Sequence, residues 1–418
     1  MPDTYQPRIV DDELSARLKA TGAVAIEGPK ACGKTATARQ LAASEVLLDV
    51  DANAREAAAV DPALVLDGAT PRLIDEWQLE PAIWNHVRRA VDDRSAPGQF
   101  ILAGSAVPPD DITRHTGAGR ITRLRMRPMS LFESGVSSGG ISLAQLLEGE
   151  PARSPDPGLG ITDLAREIAI GGWPGFRGLA VEQALRAVRD YLEEIRRVDV
   201  SRVEEKRRNP DKVGVLLRSL ARNVATYAAA TTLAGDTEGA DGPLKNDTVG
   251  EYLEALRRLM IVEDQPAWAP HLRSKHALRG AVKRHFVDPS LAVAALRATP
   301  ARLLRDIKLL GFLFESFVVR DLRIYAQATD ARVLQYRDSR GLEVDAIVEC
   351  ADGRWAAFEV KLGSGQVEQA AASLHKLVEQ IDTRVCGEPA ALGVIVGTGY
   401  GHRREDGIMV IPVGALRP

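Results

Sequence analysis

Along the first 130 residues, short apolar runs alternate with stretches of helical period, the pattern of a parallel sheet covered by helices. The runs predict strands over Ala23–Glu27, Val46–Asp51, Arg72–Asp75, Phe100–Gly104 and Ile121–Met126, with helices over Lys34–Ala43 and Pro81–Val91 between them. A stretch rich in Gly, Ser and Pro from Ser134 to Gly160 then breaks the periodicity, and only Leu143–Leu147 reads as helix within it.

From Asp163 to Met260 the pattern is almost wholly helical, interrupted by the glycine-rich loop Gly235–Pro243. Past that loop, Val249, Tyr252, Leu253, Leu256, Leu259 and Met260 share one face of a helix that Asp247 caps, with Arg257 and Arg258 beside the stripe. A short apolar strand follows at Ile261 and Val262, a succession similar to a winged helix. From about Ala301 a helix over Leu309–Tyr325 gives way to period-two alternation around Val333–Leu362. The expected division is 1–135, a parallel α/β core; 136–162, a linker; 163–270, a helical and winged-helix-like region; 271–300, a basic connector; and 301–418, a second α/β body.

Composition adds bounds. A chain of 418 residues, 45% hydrophobic and 27% charged, is that of an ordinary folded protein. At about 100–200 residues per domain, three domains are expected. The start lacks a basic-then-apolar leader, and no apolar run spans a bilayer, so a cytoplasmic protein with no membrane partner is expected. Cys32, Cys350 and Cys386 are too scattered for a disulfide framework or a zinc site. The 54 Lys and Arg nearly cancel the 57 Asp and Glu, which excludes a uniformly basic nucleic-acid binder. Charge is uneven, however. Arg273 to Lys308 holds nine basic residues (273, 275, 279, 283, 284, 297, 302, 305 and 308) against two acids, a local net of +7. Arg186 to Arg222 holds eleven against seven. Such stretches suit a phosphate backbone, although a charge run is also what a solvated or internally paired helix face carries.

The candidate chemistry begins at Gly28-Pro29-Lys30-Ala31-Cys32-Gly33-Lys34-Thr35, which fits G-x-x-x-x-G-K-[ST] between a strand and a helix. Glycines let backbone N–H groups curl around phosphates, the helix start adds positive potential, Lys34 reaches the β and γ phosphates, and Thr35 ligates Mg²⁺. The backbone from Gly28 through Ala36 is therefore assigned to ATP. Leu73-Ile74-Asp75-Glu76 ends a strand on an acidic pair: Asp75 for the Mg²⁺ shell, Glu76 for polarising the attacking water, on a strand expected beside that of the P-loop. Phe100–Ser105 is a buried strand ending on a hydroxyl, and Ser105 is placed against the γ-phosphate.

A second constellation lies near the C-terminus. Gly341–Val348, a turn at Ala351-Asp352-Gly353, and Trp355–Lys361 form a hairpin. A two-residue loop would mix polar and apolar residues on both faces. A three-residue loop with Gly353 left-handed pairs Cys350 with Arg354 and gathers Leu342, Val344, Ala346, Val348, Ala356, Phe358, Val360 and Leu362 on one face. That register sets Asp345 beside Glu359 and Glu343 beside Lys361, on the opposite face. Asp, then Glu-x-Lys, resembles the PD-(D/E)XK nuclease site, in which the carboxylates bind Mg²⁺ and position water. The resemblance makes Asp345, Glu359 and Glu315, on the preceding helix, metal ligands, and Glu359 and Lys361 catalytic. A strand-pair salt bridge is the plainer alternative, and a nuclease fold does not by itself imply cleavage.

Taken together, the P-loop, the Asp75-Glu76 pair, Leu102-Ala103-Gly104-Ser105, Gly119-Arg120-Ile121, Arg127–Glu133 and Gly171-Gly172-Trp173-Pro174 resemble the AAA-type P-loop ATPases. In particular they resemble a bacterial and archaeal group carrying an uncharacterised C-terminal domain. The resemblance implies an α/β fold: an AAA-type parallel sheet with helices on both faces, a helical and winged-helix-like middle, and a C-terminal restriction-endonuclease-like body. It implies ATP and Mg²⁺ as cofactors, Arg120 (or Arg123) as an arginine meeting the phosphates, and assembly into rings or dimers. Two functions remain open: an ATPase coupled to a DNA-binding, nuclease-like half, and a nucleotide switch whose C-terminal half binds protein and is inactive.

Overall fold

The computed structural model describes residues 5–105, 116–200, 209–238, 242–270 and 281–418. Strands β1 (Ala23–Glu27), β2 (Ser44–Leu47), β3 (Arg72–Asp75), β4 (Phe100–Gly104) and β5 (Ile121–Arg125) form one parallel sheet in the order β2-β3-β4-β1-β5. Both faces are packed, as a parallel sheet requires. Ala23, Ala25, Ile74, Phe100 and Leu102 meet Trp84 and Val87 of the helix Ile83–Arg94, while Val24, Ile26, Leu73 and Ile101 meet Leu14 and Leu18 of the helix Val10–Ala20.

The order corrects one expectation: β3 is not beside β1, because β4 lies between them. Phe-Ile-Leu-Ala-Gly is buried at every position, which suits the centre of the sheet better than β3, whose ends are Arg72 and Asp75. The helix Lys34–Arg39 packs over β3 and β4, so the P-loop still reaches Asp75.

The segment expected as a linker is fastened. Its strand β6 (Ile141–Ser142) pairs in parallel with the last strand of the chain, Leu416–Arg417, and Ser154 bridges Gly401. The motifs on either side serve as joints between the body of the first sheet and the rest. A Cβ on Gly172 would stand 2.0 Å from the Met129 carbonyl oxygen, and the Met129 N–H donates to the Gly172 carbonyl at 2.6 Å. Leu131 N–H donates to buried Asp321, whose other oxygen holds the Arg320 guanidinium together with Asp288.

The middle region is helical over Ile161–Ile170, Val181–Glu194, Pro210–Arg222, Ala230–Gly235 and Asn246–Arg258, then turns into an antiparallel ribbon of β7 (Val262–Gln265) and β8 (Lys283–Phe286). Its apolar core continues without interruption into Leu313, Phe317 and Val318 of the helix Ile307–Gln327 and one face of the C-terminal sheet. The core thus runs across residues 270 and 300.

The C-terminal sheet holds β9 (Arg332–Arg337), β10 (Glu343–Glu349), β11 (Trp355–Lys361), β12 (Ala391–Val396), β13 (His402–Arg403) and β14 (Met409–Pro412), in the order β13-β14-β12-β11-β10-β9. The helix Ile307–Gln327 covers one face and Val367–Gln380 the other. Among the described residues, no helix is long and apolar enough to cross a membrane.

Candidate functional site

The P-loop has the shape its glycines were expected to allow. Gly33 sits at φ +106° immediately before the helix, and a Cβ on Gly28 would stand 2.4 Å from the Met126 carbonyl oxygen, so β5 closes the loop from beneath. Lys34 is buried, and among the described residues its ammonium donates to the loop's own carbonyls, Gly28 O at 3.0 Å and Pro29 O at 2.9 Å. Thr35 Oγ1 donates to Asp75 Oδ2 at 2.8 Å. Burial pushes the Asp75 carboxyl above its ordinary range, and the Thr35 hydrogen bond only partly offsets this. A hydroxyl and a carboxylate at this spacing fit Mg²⁺, which takes one or two protein oxygens and keeps water in its other positions.

Glu76 stands at φ +52°, turned out of the strand so that its carboxylate accepts from Gln78 Nε2 and from Ser105 Oγ, the latter at 3.3 Å. The expected water-polarising acid and the expected γ-phosphate hydroxyl are thus in contact. Sequence reasoning missed Gln78, which has no motif to announce it. It also missed Arg8, buried beneath the loop, whose guanidinium donates to the Cys32 and Arg127 carbonyls at 2.8 Å each and pairs with Glu133.

Arg120 is not at this site in its own chain. Its carbonyl accepts from Ala23 N–H at the start of β1, and its guanidinium pairs with Asp92 at 2.8 Å. The length of β1, about 13 Å, lies between it and the loop. Strands in a parallel sheet start together, and β5 starts at the edge away from the phosphates. Arg123, three residues along, pairs with Glu27 and lies over the Trp84 ring.

The loop also touches the middle region. Lys30 Nζ pairs with Asp199 Oδ1 at 2.6 Å, and Tyr191 Oη donates to the Lys30 carbonyl at 3.3 Å. Asp199 ends a turn of π-helix, Ile195–Asp199, that continues Val181–Glu194.

In the C-terminal hairpin, Cys350 N–H donates to the Arg354 carbonyl at 2.8 Å and Gly353 takes φ +89°, so the loop has three residues and the ladder runs Ala346↔Phe358 to Glu349↔Trp355 as the pattern indicated. The expected single apolar face does not persist. The β10–β9 pairing shifts at a bulge between Val344 and Ile347, and Val344 packs with Ile347, Trp355 and Ala357 while Ala346, Val348 and Phe358 pack on the other side. Both faces are covered, so the carboxylates do not face solvent: Asp345 and Glu359 are buried. Glu343 pairs with Arg337 of β9 rather than with Lys361.

Asp345, Glu359, Lys361 and Glu315 nevertheless converge, and Lys283 of β8 completes the group. Lys283 Nζ lies 2.5 Å from Glu315 Oε1 and 3.1 Å from Asp345 Oδ1; Lys361 Nζ lies 2.5 Å from Glu359 Oε2 and 3.1 Å from Asp345 Oδ2; Val360 N–H donates to Asp345 Oδ2 at 2.9 Å. Burial pushes Asp345 up, but Lys283, Lys361 and the Val360 N–H outweigh it and hold the carboxyl well below its usual range. Glu359 moves the opposite way, raised by burial and by the neighbouring Asp345 charge. Burial and Asp345 together push Glu315 up to about 7. Burial pulls the Lys283 ammonium down, but Glu315 and Asp345 outweigh it and hold the group well above its ordinary range. Alongside, His285 is hydrogen-bonded to Gln265 and Ser316 and is kept neutral by burial and by Arg323.

Lys283 was counted in the sequence as part of a basic stretch. Of those nine residues, Lys283 and Arg284 are internal, the latter paired with Asp264; Arg273, Lys275 and Arg279 lie outside the described residues; Arg297, Arg302, Arg305 and Lys308 are exposed. Among the described residues, no group of three or more His, Cys, Asp or Glu side chains is arranged to hold a metal.

Residues 20–134 match the family described as an AAA domain, residues 161–302 a domain of unknown function (DUF8612), and residues 310–416 another (DUF4143). No curated protein matches the chain. Among solved structures, the Walker-type ATPase PABY2304 of Pyrococcus abyssi is similar at 13% identity and a TM-score of 0.42, over 68% of this chain and 94% of its own. A STAND protein with a tetratricopeptide repeat sensor, PH0952 from Pyrococcus horikoshii, gives 13% identity and a TM-score of 0.20 over 78% of this chain and 50% of its own. With the P-loop, the Thr35–Asp75 contact and the parallel sheet beneath them, the match over residues 20–134 makes the first third of the chain an AAA-type ATPase domain.

Proposed function

We propose that the chain is a Mg²⁺-dependent ATPase whose nucleotide state passes from the P-loop to the helical middle region and on to a C-terminal body that contacts DNA. The observation that carries the first part is the Thr35 Oγ1–Asp75 Oδ2 contact of 2.8 Å beside a Lys34 whose ammonium rests on two loop carbonyls. On ATP binding, Lys34 would exchange those carbonyls for β and γ oxygens, the backbone N–H groups from Gly28 to Ala36, Pro29 excepted, would form the cradle, and Thr35 and Asp75 would hold Mg²⁺, which would offset the phosphate charge. Glu76 polarises the attacking water, and Ser105 carries the γ-phosphate's state to it through their shared hydrogen bond. Arg120, on the far edge of the sheet, has only a neighbouring copy's phosphates to serve, which calls for a homo-oligomer.

The second part rests on the Lys30–Asp199 pair, which joins the loop to the middle region, and on the continuous core from there into the C-terminal body. Exposed Arg297, Arg302, Arg305 and Lys308 supply phosphate contacts for DNA. The experiment is ATP turnover by the full chain with and without duplex, single-stranded and branched DNA at several salt concentrations. Turnover that Lys34→Ala leaves unchanged refutes the ATPase assignment. Stimulation absent, or insensitive to salt, refutes the DNA coupling.

One observation favours the other reading of the C-terminal half, a switch without cleavage: the carboxylates that the nuclease resemblance assigns to metal are already bonded to two lysines. Mg²⁺-dependent nicking abolished by Asp345→Ala would overturn that reading.

A further inference from the structure

The carboxylate cluster can be tested as a metal site on its own geometry. A divalent cation bridging Glu315 and Asp345 would need the space between Glu315 Oε1 and Asp345 Oδ1, and Lys283 Nζ fills it at hydrogen-bonding distance from both. The ammonium is not a flexible surface group that has swung inward. Lys283 is buried, its strand is paired with β7 from Val262↔Phe286 to Gln265↔Lys283, and the neighbouring Gln265 side chain anchors that ribbon on the Leu334 and Asp345 carbonyls at 2.9 Å each. Tyr227 lies under the same ammonium, 5.6 Å from ring centre to Nζ, and is itself tied by its hydroxyl to Gln335 of β9.

Charge closes the argument. Two ammonium groups, Lys283 and Lys361, already stand against the three carboxylates, and both are bonded to Asp345. A divalent cation added beside them would bring two further positive charges into a buried, poorly polarisable group whose carboxylate oxygens are already engaged, which costs far more than the new contacts return. The residues therefore do not fit a metal as they stand.

We infer that Lys283 is the built-in cation of this cluster, supplied by the middle region to the C-terminal body, and that the cluster accepts a divalent metal only when that ammonium is taken away. The lysine does for Glu315 and Asp345 what a metal does in the nuclease site the hairpin resembles: it neutralises them and fixes their separation. It offers no open coordination position and cannot activate water as a Lewis acid.

The test is Mn²⁺ binding to the nucleotide-free full chain, counted by electron paramagnetic resonance of free Mn²⁺. Four proteins are compared: the unaltered chain, Glu315→Gln, Lys283→Met, and the double variant Lys283→Met with Glu315→Gln. The expected result is an equal Mn²⁺ count for the unaltered chain and Glu315→Gln, one additional ion per chain for Lys283→Met, and loss of that ion in the double variant. An ion in the unaltered chain that Glu315→Gln removes overturns the inference, and so does a folded Lys283→Met that gains none. Should Lys283→Met fail to fold, the comparison of the unaltered chain with Glu315→Gln still decides. The P-loop is common to all four proteins and cancels in every difference, so neither result bears on the ATPase assignment.

Discussion

The two charged sites of this chain are built from similar parts and differ in what those parts are bonded to. At the P-loop, a buried lysine rests on two backbone carbonyls and a carboxylate is met by one hydroxyl. In the C-terminal cluster every carboxylate has an ammonium within 3.1 Å or less. Backbone carbonyls are weak, neutral acceptors that a phosphate oxygen displaces at little cost, whereas an ammonium between two buried carboxylates is displaced only by leaving charge unpaired. Matching motif residues are therefore not enough to mark a working centre. What separates the two sites is binding capacity left over for a ligand.

The largest effect expected from this contrast is on stability. Lys283→Met leaves Glu315 and Asp345 buried without their shared cation and should cost about 3–5 kcal/mol, read as a shifted urea midpoint. Lys34→Ala removes only two bonds to carbonyls that can find water in an open loop, and should cost about 1 kcal/mol or less. Equal losses for the two would break the comparison. Catalysis should reverse the ranking. Lys34→Ala or Glu76→Gln should lower kcat for ATP by about 10²- to 10³-fold, the scale of losing one preorganised group that meets transition-state charge. A Glu76→Gln protein with undiminished turnover would remove that residue from the proposed chemistry.

Acidity sharpens the same contrast. Glu315 is pushed up to about 7 and Glu359 is raised with it, both first by burial. A carboxyl raised in the folded state holds a proton that the unfolded chain has released. Its contribution to stability is complete below about pH 4.5 and is lost as pH rises through about 7 for Glu315 and about 8 for Glu359. Glu359→Gln keeps an uncharged partner for Asp345 but does not titrate. The variant should lose less stability between pH 5 and pH 8 than the parent, by on the order of 1–3 kcal/mol. Parallel curves for the two proteins would show that Glu359 is ionised in the fold, and the charge balance of the cluster would have to be redrawn.

These two sites were also unequally legible in the sequence. The phosphate loop is local: eight consecutive residues and the strand before them specify the turn, and Gly28 and Gly33 stand where backbone contact and a left-handed φ demand them. The hairpin register was legible for a related reason, since period-two burial and one turn glycine determine it. Lys283 was not legible. Its partners lie 32 and 62 residues away, and nothing in Lys-Arg-His-Phe distinguishes a lysine aimed inward from one in a basic patch. Sheet order failed for a similar reason: local pattern finds β3 and β4, but which of them reaches the centre depends on whole-sheet burial. Arg120 shows a third limit, because a motif gives a residue's place along a strand and not which edge of the sheet that place occupies.

The smallest effect expected concerns the joint between the phosphate site and the middle region. Lys30 pairs with Asp199 at 2.6 Å, but the Lys30 side chain is 45% exposed, so solvent screens the pair and its worth is at most about 1 kcal/mol. Asp199 is also a carboxylate placed within reach of the loop that must receive an anion. Asp199→Asn removes that negative charge while keeping the side chain's shape, and frees Lys30 to turn toward the phosphates. Affinity for a slowly hydrolysed ATP analogue should therefore rise about two- to fivefold, with a smaller gain as salt is raised. If Asp199 is the contact through which the middle region reads the nucleotide, the variant should also bind the analogue without the protease protection of the middle region that the parent acquires. Weaker binding in Asp199→Asn would mean that the carboxylate supports the loop's nucleotide-ready shape instead of competing with the phosphates, and the direction of the proposed coupling would have to be reversed.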